Sequence, residues 1–170
     1  MTTAIVGLWL ALVAIGSPGA EPGRPIPIQC TLAAQGEGRF QLTVKNVSAV
    51  LLDGQFFPAV ELASTAPGSV GRYWAPMDLK TGRPYGPNQP RRVTLQPGQA
   101  TTVIFAPETL LWDRTVSSVW PGRPLSQIVP AGRYALYVDV EERETAERTG
   151  SNRLFVVLQD GVLRVDPRAR

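Results

Sequence analysis

Histidine is absent from the 170-residue chain. That absence removes Ser-His-Asp and Cys-His catalysis and the common zinc sites, all of which use an imidazole. Cysteine occurs once, as Cys30, so no intramolecular disulfide can form. A lipoprotein box would place cysteine at the end of an apolar run. Cys30 follows Ile26, Pro27, Ile28 and Gln29, well past the only such run. Its expected setting is a half-buried strand, where a thiol behaves as a small hydrophobe; an intermolecular disulfide is the alternative. Lysine is nearly missing too. Two of the 17 basic residues are Lys, at Lys45 and Lys80, and the other fifteen are Arg. The arginines, among them Arg39, Arg72, Arg83, Arg114, Arg133 and Arg153, form no stripe or basic helix, which argues against nucleic acid as a partner. No glycine-rich phosphate loop occurs. Lys80-Thr-Gly82 matches one element of the β-lactamase signature, but Ser-x-x-Lys, which must accompany it, occurs nowhere.

Long hydrophobic runs are also lacking. The longest, Ala4 to Ile15, is about a dozen residues, too short to cross a ~30 Å hydrocarbon core as a helix. It has the length of a secretory core segment, and Gly16, Ser17, Pro18, Gly19 and Ala20 follow it as small residues and a proline. Cleavage is expected after Gly16 or Ala20. The stretch before the run carries no Lys or Arg, and an uncleaved anchor is the alternative. Residues 1–20 are thus expected to be a signal peptide and 21–170 a single domain with no membrane span. The expected location is secreted or periplasmic.

What is present is turn chemistry and alternation. Apolar residues make up 44% and charged residues 18%, a globular balance rather than a disordered one. Gly and Pro number 16 each, which suits many turns. A mature piece of roughly 150 residues can bury about 70% of its unfolded surface. Period-2 alternation dominates over helical periodicity. Strands are expected at 26–32, at an edge because of Pro25 and Pro27, and at 39–46, with Phe40, Leu42 and Val44 on one face. Asp53-Gly54 reads as a hairpin turn between 50–52 and 56–62, and Asp160-Gly161 as another between 154–158 and 162–165. Further strands are expected at 92–95, 101–105 and 133–140, and a helical turn at Pro107–Trp112 with proline at its first position. The sum is an all-β chain, an antiparallel immunoglobulin-like β-sandwich of about seven to nine strands with two long loops, 64–91 and 106–131. In the stretch 129–140, Pro130 and Gly132 make a bend and Tyr134 enters the strand as a tyrosine corner, with Leu136, Val138 and Val140 on its face.

The long loops hold Arg72, Tyr73, Trp74, Tyr85, Trp112, Trp120 and Arg123, and aromatic residues with Arg are the side chains enriched at binding hot spots. These seven are the candidate binding residues. The competing reading has each tryptophan pinning its loop to the sandwich. The run 139–148, rich in acids, could offer oxygen ligands to Ca²⁺; a solvated loop balanced by Arg143 and Arg148 is the favoured reading. Paired carboxylates could hydrolyse a glycoside, but Glu108 and Asp113 have no second partner evident in sequence. Asn46-Val-Ser48 is a glycosylation sequon, meaningful in a eukaryotic source. No catalytic residue, metal site or cofactor is expected.

Three segments together resemble a known family. Leu42-Thr-Val-Lys-Asn-Val-Ser48 looks like the strand and polar turn that open bacterial immunoglobulin-like domains. Val93-Thr-Leu-Gln-Pro-Gly-Gln99 resembles their Leu-x-Pro-Gly turn, and Val129-Pro-Ala-Gly-Arg-Tyr-Ala-Leu136 their penultimate corner. With Trp112 after the second of these, the order is similar to the BsuPI-like intracellular proteinase inhibitor family, over about Phe40 to Leu158. The export-type start and the expanded loops depart from that family, and no inhibitory residue set carries over. Two functions are therefore expected. The first is a secreted, non-catalytic sandwich that binds a protein or a surface glycan or serves structurally in the envelope. The second, implied by the resemblance, is a proteinase inhibitor that inserts Arg72-Tyr-Trp74 or Arg83-Pro-Tyr85 into a protease cleft.

Overall fold

A computed structural model describes residues 26–36, 38–69, 71–84, 91–114 and 122–168. Among these, twelve strands occur, nine of them four residues or longer, and the only α-helix is the single turn α1 at Leu125–Ile128. Two antiparallel sheets pack face to face. The smaller orders β1 (Ile28–Ala34), β2 (Phe40–Asn46) and β6 (Ala100–Phe105). The larger orders β12 (Val162–Val165), β11 (Leu154–Gln159), β9 (Gly132–Glu142), β3 (Leu52–Ser64) and β4 (Arg72–Pro76). β5 (Arg91–Leu95) adds to β3, and β10 (Arg148–Gly150) adds to β9. The first, second and sixth strands thus oppose β3, β9 and β11, which is the A-B-E against C-F-G division of an immunoglobulin-like sandwich.

Alternation explains the core. Ile28, Cys30 and Leu32 of β1 and Phe40, Leu42 and Val44 of β2 point inward. They meet Phe56, Val60 and Leu62 of β3 and Leu136, Val138 and Val140 of β9, each at most 2% exposed. Pro58 is tolerated mid-strand because its carbonyl accepts from the Met77 N–H (3.0 Å). Carbonyl and nitrogen of one strand residue point the same way, so the missing N–H faces the gap between β4 and β5 rather than β9. The corner reads as expected: the Tyr134 hydroxyl donates to the Pro130 carbonyl at 2.7 Å, and its ring meets Tyr73 edge-on at 6.2 Å.

Several expectations need correction. Asp53-Gly54 is not a turn but lies inside the thirteen-residue β3. Positive φ, which a type I′ turn needs, occurs at Asp160 (52°) and Gly161 (76°) but at neither Asp53 nor Gly54. The Phe56 ring covers Gly54 so closely that a Cβ there would lie 3.1 Å from it. The loop 64–91 contains β4. The loop 106–131 contains a 3-10 turn at Pro107–Thr109, the short strands β7 (Leu111–Trp112) and β8 (Arg123–Pro124), and α1. The acidic run 139–148 is the hairpin of β9 and β10, closed by Glu142, whose carboxylate accepts from the Thr145 N–H (2.7 Å) and Oγ1 (2.9 Å). The sequon is structural. Asn46 is fully buried, and its Nδ2 donates to the Val50 and Leu95 carbonyls, 2.9 Å each. Its Oδ1 accepts from the Ser48 N–H and hydroxyl. Asn46 thereby ties β2 to the turn where the chain leaves β5 in one sheet for β6 in the other.

Candidate functional site

The seven candidate residues separate into groups. Tyr73 and Trp112 belong to the interior, 4% and 0% exposed. The Trp112 indole N–H donates to the Pro107 carbonyl at 2.8 Å, so this tryptophan pins the 3-10 turn. Arg123 is exposed and stands across from Trp112 in the β7–β8 pair. It edges a cavity of about 500 Å³ with Asp113, Arg114 and Gln127. Tyr85 and Trp120 lie outside the described residues. Arg72 and Trp74 share the outer face of β4, because alternation turns Tyr73 and Ala75 inward.

The outer face of the large sheet is where side chains gather. Register places Trp74, Glu61 and Tyr137 in one cross-strand row, Ala59, Asp139 and Gly150 in the next, and Phe57, Glu141 and Arg148 in the third. The middle row holds an alanine and a glycine, which rise far less than the Trp74 and Phe57 rings of the neighbouring rows. The result is a depression of about 250 Å³ with aromatic walls, a floor at Ala59 and a rim of Glu61, Glu141 and Arg148. A Cβ on Gly150 would come within 3.0 Å of Asp139 Oδ1, so glycine is what leaves this carboxyl its place.

The charges form a connected set. Arg72 Nη2 lies 2.8 Å from Glu61 Oε2, and the same guanidinium donates to the Tyr137 oxygen at 2.7 and 3.1 Å. Tyr137 in turn donates to Glu61 at 2.6 Å, and Arg153 lies over its ring at 5.3 Å. Arg148 pairs with Glu141 at 2.5 Å. Burial, then the neighbouring Glu61 charge, hold Asp139 above the usual carboxylate range. Tyr137 is likewise raised, by burial first and then its bond to Glu61.

Sequence reasoning identified Arg72 and Trp74 but missed Phe57, Ala59, Glu61, Tyr137, Asp139, Glu141 and Arg148. The available signal was the outward phase of β3 and β9, which needs their mutual register to become a site. Among the described residues no group of three or more Asp, Glu, Cys or His side chains could hold a metal, and no helix is long and apolar enough to cross a membrane. No family model and no curated protein matches the chain.

Proposed function

We propose that the chain is an exported, non-catalytic binding module that holds a protein partner on the outer face of its large sheet. The observation that carries this reading is the depression between Trp74 and Phe57, an apolar-walled concavity ringed by ordered charges. Its volume of about 250 Å³ is below the ~300–1,000 Å³ of small-molecule pockets and suits one side chain of a larger partner. Export is motivated by the apolar run 4–15 and the small residues after it. The carboxyl geometry weighs against hydrolysis. Glycosidases need one carboxylate free to attack or to activate water, whereas Glu61 is held by Arg72 and Tyr137 and Glu141 is paired with Arg148. Capture from the organism's own envelope fraction, with the bound protein identified, is the test. Trp74→Ala and a cavity-filling Ala59→Phe should each abolish that one interaction while leaving the melting temperature near wild type. Equal capture by both variants would refute it.

A proteinase inhibitor is the alternative, and the strand geometry narrows its means. Arg72-Tyr-Trp74 is paired along β3 and bonded to Asp113 on its other side, so it does not protrude as an insertable loop. The segment left to that reading is Arg83-Pro84, whose base is fixed where the Asp78 N–H donates to the Arg83 carbonyl. Titration against a panel of serine proteases tests it, and full protease activity at micromolar protein would eliminate it.

A further inference from the structure

We propose that the loop at 47–51 is a lipid-docking tip: it sets Val47, Val50 and Leu51 into the surface of a bilayer and stands the sandwich on end there, both sheets' outer faces in water.

Three stretches build that end of the sandwich, 26–29, 46–52 and 95–100. Short backbone bonds join them. The Val47 N–H donates to the Pro27 carbonyl and the Asn46 N–H to the Gln99 carbonyl, both at 2.9 Å, and the Gly98 N–H donates to the Asn46 carbonyl at 3.0 Å. None of the three stretches contains a charged residue, although 18% of the chain is charged. Six large apolar side chains are exposed among the described residues, and three of them belong to this one loop: Val47 at 56%, Val50 at 66% and Leu51 at 51%. Exposed apolar residues are ordinary when scattered; gathered on an uncharged end they mark a contact.

The loop is also built to leave water. A backbone polar group carried into hydrocarbon without a partner is costly. Here such groups bond within the protein. Besides the Val47 N–H, the Ser48 N–H donates to Asn46 Oδ1 at 2.9 Å and the Val50 N–H to Ser48 Oγ at 3.3 Å. The Val50 carbonyl accepts from both Asn46 Nδ2 and Ser48 Oγ at 2.9 Å. Buried Asn46 thus holds the loop in one shape, and little ordering entropy is left to lose on contact.

The position of the tip names the occupant. Pro27, which holds the loop, is where the preceding chain enters, and ten residues separate Ile26 from the end of the apolar run Ala4–Ile15. Ten residues reach about 35 Å at most, so a bilayer that receives the run meets this end of the domain first. One modest apolar element binds a membrane reversibly, and a second makes the attachment stable; the tip is that second element. Three apolar side chains are far fewer than the ~20–30 residues a side of a standard protein interface, and a lipid surface needs no matching shape. The flanking charges suit the boundary. Lys45 is exposed and long enough to keep its ammonium among headgroups, and Asp53 is held by Arg92 at 2.6 and 2.9 Å. The charged hairpin at 143–147 joins the sheet at Gln55, three positions along β3 from Leu52.

The test uses the full chain with neutral phosphatidylcholine vesicles and with vesicles enriched in anionic phosphatidylglycerol. Cys30 is buried, so a Val50→Cys variant takes an environment-sensitive fluorophore at one place. Gln159→Cys, labelled at the opposite end of the sandwich, is the control. With either vesicle the Val50 label should brighten, shift to the blue and be quenched by lipids carrying a nitroxide on the acyl chain, at high salt as at low, while the Gln159 label stays unchanged. In unlabelled protein, Val50→Asn and Leu51→Asn should each lower vesicle partitioning about fivefold, as expected for half-exposed aliphatic side chains, with the run 4–15 identical throughout and the melting temperature unchanged. The proposal fails if the Val50 label keeps its emission in water or if both labels respond alike. It fails if high salt abolishes the response, the behaviour of a chain of net charge +3 adsorbed by charge alone. Partitioning of both Asn variants at the wild-type level would overturn it too. So would a Val50 label that responds to envelope protein but not to lipid, which would make the tip a protein contact.

Discussion

Replacing Tyr134 separates the two things its ring and hydroxyl do. Tyr134→Phe keeps the ring and removes the donor to the Pro130 carbonyl, a 2.7 Å bond. Such a bond contributes about 0.5–1.5 kcal/mol net, and for a chain of this size each kcal/mol moves Tm by about 2–4 °C. The expected loss is therefore about 1–6 °C. Tyr134→Ala also removes a ring that is 4% exposed and meets Tyr73 edge-on. Truncating a buried aromatic costs about 3–5 kcal/mol, the aromatic pair adds about 0.5–1.5 kcal/mol, and the hydrogen bond is lost as well. These terms overlap, and about 5 kcal/mol is the reasonable sum, or roughly 10–20 °C. Against a total stability of about 5–15 kcal/mol, that leaves the domain marginal. Thermal melts by circular dichroism and urea transitions with an unchanged slope are the measurements. A Tyr134→Ala protein melting within a degree or two of wild type would show that the corner does not hold the sandwich closed. Equal losses in the Phe and Ala variants would show that the hydroxyl, not the packing, carries the effect.

Asn46→Ala removes four side-chain hydrogen bonds from a fully buried position, and a loss of about 4 kcal/mol is expected in urea melts; a loss below about 1 kcal/mol would mean that relaxation or water replaces them. Asp139 has a folded-state pKa above its unfolded one, so its contribution is present below the ordinary carboxylate range and lost as pH rises through the raised value. Asp139→Asn should accordingly gain stability over wild type as pH goes from acid to neutral, and a Tm difference constant with pH would contradict this. Glu142 runs the other way: burial alone would raise it, but the hydrogen bonds it accepts, led by the Thr145 N–H, outweigh that and lower it. Glu142→Gln should thus destabilise at neutral pH and match wild type in acid, as followed by Tm against pH. Cys30 is buried, and burial with the Asp139 charge pushes its thiol up to about 12. The native protein should leave Ellman's reagent unreacted over the period in which the urea-unfolded chain reacts fully.

The strands were legible wherever alternation kept one phase. β2 runs over Phe40–Asn46 with Phe40, Leu42 and Val44 inward. The two Asp-Gly pairs show where a dipeptide signal is not enough. Around Asp160-Gly161 the inward Leu158 and Leu163 are an odd number of positions apart, as pairing across a two-residue turn requires. Around Asp53-Gly54 the inward positions continue at even spacing through Phe56, Val60 and Leu62, so the phase never breaks and the strand goes straight on. That parity was in the sequence and outranks the turn propensity of the pair. The depression was not legible for a different reason. Ala59 and Gly150 matter because they are small, and smallness makes a hollow only beside tall neighbours. Those neighbours are Phe57, which flanks Ala59 on β3, and Trp74, which register alone brings beside it, as register also brings Gly150 from β10. Trp112 carried the opposite lesson: an aromatic in a long connection proved to be the anchor of that connection.

The buried Asn46 bears on how the protein can be produced. Its side-chain nitrogen is the atom to which oligosaccharyltransferase would attach a sugar, and Asn46-Val-Ser48 is a readable acceptor in a eukaryotic secretory host. The transferase meets the chain while it is still extended, whereas the folded domain encloses that nitrogen between two carbonyls. Sugar attachment and folding therefore exclude each other: a glycosylated chain cannot close the link between its two sheets, and a closed one cannot be glycosylated. The yield of native protein from yeast or mammalian secretion becomes a race between the two, which a bacterial host never runs.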